Sequence, residues 1–68
     1  MLKEIMVSAA RKHAEAELEL HRANIDVYMR QVVGIGEHSD IIETIQKELD
    51  KMAQAQDRLE MLDRYFKD

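Results

Sequence analysis

Along the first half of the chain, apolar and small residues recur in alternating steps of four and three. Leu2, Met6, Ala9, His13, Ala16, Leu20, Ala23 and Val27 form one such line. Val7, Ala10, Ala14, Leu18, His21, Ile25, Tyr28 and Val32 form a second, offset from the first by roughly 140° on a helical wheel. Steps of this kind belong to an α-helix. Strong helix formers fill residues 2 to 33, so a single long helix is expected there. Only a narrow arc carrying Glu4, Arg11, Glu15, Glu19, Arg22 and Asp26 reads as fully solvated.

The second half carries one line rather than two. Ile45, Met52, Leu59 and Phe66 repeat at seven, flanked early by Ile41, Ile42 and Leu49 and late by Ala55 and Leu62. This predicts a helix over about 40–67 with a slowly drifting apolar stripe. Met61 and Tyr65 fall on its far side.

Between the two lies the turn, residues 34–39, where both glycines of the chain sit. Gly34 suits the left-handed position after a helix end, having no Cβ to clash. Gly36 adds a second break. Asp40 and Glu43 fit a reciprocal capping box, with Ser39 as the alternative cap. A connection this short joins antiparallel neighbours. The expected fold is all-α: one domain over residues 1–68, an antiparallel helical hairpin.

Composition turns the doubled line of the first helix into an argument about assembly. One partner helix cannot cover both lines, and contiguous exposed apolar surface marks interfaces. The 68 residues include no Cys and no Pro, so neither a disulfide nor a stiffened loop can offset chain entropy in so small a core. A second copy can. The reading expects a homodimer forming a four-helix bundle with the first helices central. Leu2, Met6, Ala9, Ala16, Leu20, Ala23, Val27, Leu18 and Ile25 are its expected interface. Ala9, Ala16 and Ala23, spaced at seven, would let helices approach closely. The alternative is a subunit of a hetero-complex that docks on another protein.

Charge narrows the partners. Ten Lys and Arg stand against 14 Asp and Glu, a net charge of −4. The excess belongs to residues 34–68, and no basic stripe is present, so nucleic acid is not an expected partner. No apolar run approaches a membrane span, and the start Met-Leu-Lys-Glu-Ile has none of the layout of a signal peptide. A soluble cytoplasmic protein is expected, with no cofactor.

Candidate chemistry is sparse. His13, Glu17 and His21 stack at intervals of four and offer two imidazoles and a carboxylate, a partial metal-ligand set. The Glu-x-x-His signature of di-metal bundles is absent, because Ala10 and Leu18 stand three residues before the histidines. The competing reading makes these residues, with Asn24 and Gln31, a polar line that makes hydrogen bonds between chains and sets register. His38 beside Ser39 and Asp40 has no oxyanion cradle, and Gly34-Ile35-Gly36 lacks the Lys of a phosphate loop. The chain reads as non-enzymatic, an interaction protein whose protein partner is not named by its residues.

The segment Val33-Gly34-Ile35-Gly36-Glu37-His38-Ser39-Asp40-Ile41, preceded by Asp26-Val27-Tyr28-Met29, resembles small helical-hairpin proteins encoded by tailed phages of marine bacteria. The resemblance covers about 16 residues around the turn. It implies an accessory protein made in the host cell cytoplasm and carries no implied activity.

Overall fold

A computed structural model describes residues 2–31 and 38–67, with side chains at 2–30 and 40–67. They form two α-helices, α1 (Leu2–Gln31) and α2 (His38–Tyr65), packed along each other. The Cα envelope measures 53 × 15 × 11 Å. Side-chain bonds between the helices fix their direction. Arg11, near the start of α1, pairs with Asp63 near the end of α2. Further along α1, Glu17 pairs with Arg58, and His21 and Asn24 both reach Glu48. The helices therefore run antiparallel, and the all-α hairpin is as expected.

The helix ends differ in detail from the sequence reading. α1 is described to Gln31, and the expected end at 33 lies outside the described residues. Val33, Gly34, Ile35, Gly36 and Glu37 lie outside the described residues, and with them the reading of Gly34 as a left-handed cap. α2 begins at His38, so Ser39 and Asp40 stand in its first turn instead of capping it. There the Asp40 carboxylate meets the positive end of the helix dipole. The Asp40 carbonyl accepts a bond of 2.9 Å from the Thr44 hydroxyl, the local bond a helical threonine makes to the preceding turn. At the other end the Phe66 amide donates to the Leu62 carbonyl at 3.0 Å, adding one helical bond beyond Tyr65.

Of the two lines on α1, the second faces α2. Ala14 and Ile25 are buried, and Val7, Leu18, His21 and Tyr28 are half-buried. On α2 the inward positions are Ile41, Ile45, Glu48, Met52, Ala55, Leu59 and Leu62, a run of fours and threes with Ala55 fully buried. Met61 is half-buried at its edge, while Ile42, Leu49, Tyr65 and Phe66 are exposed. The antiparallel register sets Ala14 level with Leu59 and Ala55 level with Leu18. An alanine on one helix is thus level with a leucine on the other, the alternation of sizes that lets helices pack closely. Ile25 is the one large side chain buried among the described residues, worth about 2 kcal/mol by area.

Candidate functional site

The first line of α1 points away from α2. Every one of its eight positions is exposed, from Leu2 through Met6, Ala9, His13, Ala16, Leu20 and Ala23 to Val27. The large members are open to a degree that packed side chains are not: Leu2 is 70% exposed, Met6 63%, Leu20 56% and Val27 52%. Ile5 extends the same surface at 62%. The strip follows α1 from its first residue to within one turn of its end, on the side nearly opposite the hairpin seam. The corresponding outward side of α2 is polar, with Glu43, Lys47, Asp50, Gln54, Asp57 and Arg64 all exposed. The two helices are alike in facing each other and unlike in what they show outward.

Total area tells the same story. The chain exposes 5513 Å². A compact monomer of 8.0 kDa exposes roughly 4,450 Å². The difference, on the order of 1,000 Å², reflects an elongated envelope of 53 × 15 × 11 Å in which two helices cover only one side of each other.

Two residues expected at an interchain interface serve the hairpin instead. Ile25 is buried within the chain and Leu18 half-buried, each on the seam with α2. The other seven, Leu2, Met6, Ala9, Ala16, Leu20, Ala23 and Val27, share the exposed strip. Glu43 is exposed along α2, and Gly34 and Gly36 lie outside the described residues.

The candidate metal ligands are drawn apart by their neighbours. His13 Nδ1 lies 2.8 Å from Glu17 Oε1 on the exposed side, and Glu17 also accepts from Arg58 at 3.2 Å. His21 turns inward to Glu48 on α2, at 2.5 Å, and Asn24 donates to the same oxygen at 3.3 Å. With a carboxylate as acceptor, the His21 Nδ1 carries the proton. The His21 bond holds the Glu48 carboxyl below its ordinary value of 4.5; partial burial opposes this, and Asn24 and the nearby Lys51 charge add to it. Among the described residues, no three His, Cys, Asp or Glu side chains are grouped as a metal would need. The arrangement is that of a polar pin between the two helices of one chain, whereas the sequence reading placed the bonds of His21 and Asn24 between chains.

Glu48 and Arg11 are the residues that pattern-reading missed. Both occupy inward steps of the four-three run, where an apolar residue is the default. Glu48 stands between Ile45 and Met52, and Arg11 between Val7 and Ala14. Spacing alone, applied without regard to polarity, would have found them. Arg11 leaves the solvated arc to pair with Asp63 at 2.5 Å.

No described helix is long and apolar enough to cross a membrane. Comparison with protein-family models, with curated proteins and with solved structures returns no match for this chain.

Proposed function

We propose that this chain is a non-enzymatic interaction protein that self-associates through the outward face of α1. One observation carries the reading: eight consecutive positions of a helical apolar line, all exposed, on a helix whose other line already packs in the hairpin. Surface of this kind and extent is rare on a solitary soluble domain. A second copy covers it with an equal strip, giving a two-fold dimer of hairpins with the α1 helices central and the α2 helices outside. The acidic outer surface then remains free to meet a further macromolecule.

Sedimentation equilibrium across the micromolar range tests this. The wild-type chain runs at twice its mass of 8.0 kDa. Leu20→Glu, which places a charge at the middle of the strip without touching the hairpin seam, runs as a helical monomer. A wild-type chain that stays monomeric at several hundred micromolar, or a Leu20→Glu variant that associates as before, refutes the reading.

A further inference from the structure

We infer that the two copies meet antiparallel in one register, with the two-fold axis passing between Ala14 and Glu15. The inference rests on the self-association proposed above and goes on to specify its geometry.

The outward strip of α1 is built of two rows, each repeating at seven. One row is bulky, with Met6, Leu20 and Val27 on either side of His13; the other is small beyond its first residue, with Ala9, Ala16 and Ala23 following Leu2. Parallel pairing sets each row against itself, so leucine meets leucine and alanine meets alanine. Antiparallel pairing sets the bulky row of one copy against the small row of the other. The hairpin register follows the same alternation, with Ala14 level with Leu59 and Ala55 level with Leu18. With the axis between Ala14 and Glu15, Leu20 comes level with Ala9 of the partner copy and Met6 with Ala23. His13, already bonded to Glu17, meets Ala16 at the centre.

Charge selects this register from its neighbours. Lys12 and Glu19 flank the strip on one edge, both exposed, and neither has an ion pair within the described residues. In an antiparallel pair, residues on this edge face their own counterparts. The stated register brings Lys12 of each copy against Glu19 of the other, twice by symmetry. A slip of one heptad in one direction sets Glu19 against Glu19 at the axis, leaving Lys12 to face Asp26, and in the other sets Lys12 against Lys12. Both slips also shorten the overlap of the two apolar strips, which run from Leu2 to Val27. Size complementarity thus selects the antiparallel direction, and the Lys12–Glu19 pairs with the fullest overlap of the strips select the register.

Charge swaps and single cysteines test it, on a chain whose sequence contains no cysteine. Lys12→Glu and Glu19→Lys each weaken the dimer, by roughly 3- to 10-fold in Kd at low salt. The double variant regains the wild-type Kd, and an equal mixture of the two single variants forms the mixed dimer in preference to either homodimer. Under mild oxidation Ala9→Cys joins to Leu20→Cys and neither joins to itself, because like positions are separated by about 16 Å along the axis. Circular dichroism confirms that each variant keeps its helix content. A dimer that ignores both charge reversals, or in which Leu20→Cys bonds to itself, overturns the register and leaves self-association standing. A wild-type chain that is monomeric overturns both.

Discussion

The His21 ring and the Glu48 carboxylate meet across the hairpin at 2.5 Å, with each side chain only 12% exposed. This pair occupies the seam itself, between Ile25 and Met52. A charge-assisted bond in so shielded a place orients both partners, and leaving either one alone would strand a polar group in an apolar setting.

Acid should therefore loosen the hairpin through Glu48. Its carboxyl titrates below the ordinary 4.5 in the folded chain, so the folded state binds its proton less readily than the unfolded one. The stabilisation is complete above pH 4.5 and is lost as pH falls through the lowered folded value. Thermal melts by circular dichroism between pH 6 and 3 should show Tm falling across the acid end of this range, at constant salt. Glu48→Gln should start from a lower Tm at pH 6 and show a shallower decline. An identical decline in both would mean that another carboxylate carries it.

Ile25→Ala should destabilise by about 2–4 kcal/mol in urea unfolding, at protein concentration held fixed. The side chain is buried against α2, and two helices have little freedom to close a cavity. Ala23→Ser, on the outward face two residues earlier, should shift intrachain stability by under about 0.5 kcal/mol. Comparable losses at both positions would contradict the assignment of the two lines.

Ala55→Leu should cost about 1–3 kcal/mol, because a fully buried alanine has no room for three more carbons. Adding Leu18→Ala should recover part of that loss, since Leu18 is level with Ala55 and the swap conserves volume. A double variant no more stable than the sum of the single effects would show that these residues do not share a layer.

Zinc and chelator should leave the Tm within error. His21 is committed to Glu48, and His13 to Glu17, so binding a metal would first break bonds that already exist. A zinc-dependent rise in Tm that His13→Ala abolishes would revive the metal reading.

Asp63→Asn should change stability by under about 1 kcal/mol, with the difference vanishing in high salt. The Arg11–Asp63 pair lies at the wet edge of the seam, with the aspartate side chain more than half exposed. A larger effect would mean that Arg11 contributes more than its charge.

The hairpin was legible because its causes are local. Steps of three and four, strong helix formers and one glycine-containing break leave little else for the chain to do. The two lines on α1 were legible as well, but not which one the hairpin would use. Both have the same period, and the choice turns on the other helix. α2 offers Glu48 at the height of His21 and Asn24, and alanine and leucine at the heights of Leu18 and Ala14, so only the second line finds complementary partners. Hydropathy cannot report this, because Glu48 reads as a polar residue on what pattern-reading takes for a solvated position. For the same reason Ile25 and Leu18 were expected between chains: an apolar residue on a doubly apolar helix does not say which neighbour it will meet. The start of α2 was displaced by two residues because Asp40, a good cap by type, is equally favourable in a first turn.

The contrast between the outward sides of the two helices bears on how far association can go. An adhesive strip on α1 alone, used by two copies, is consumed when they meet. In the proposed dimer the back of α2, charged at Glu43, Lys47, Asp50 and Asp57, forms both outer walls, and the exposed apolar residues of α2 lie to its flanks and end. Raising the concentration is then expected, for that proposed dimer, to fill dimers instead of extending fibres. A hairpin with apolar backs on both helices would stack without limit; under the proposed association the aspartates and glutamates of α2 would act as terminators of assembly.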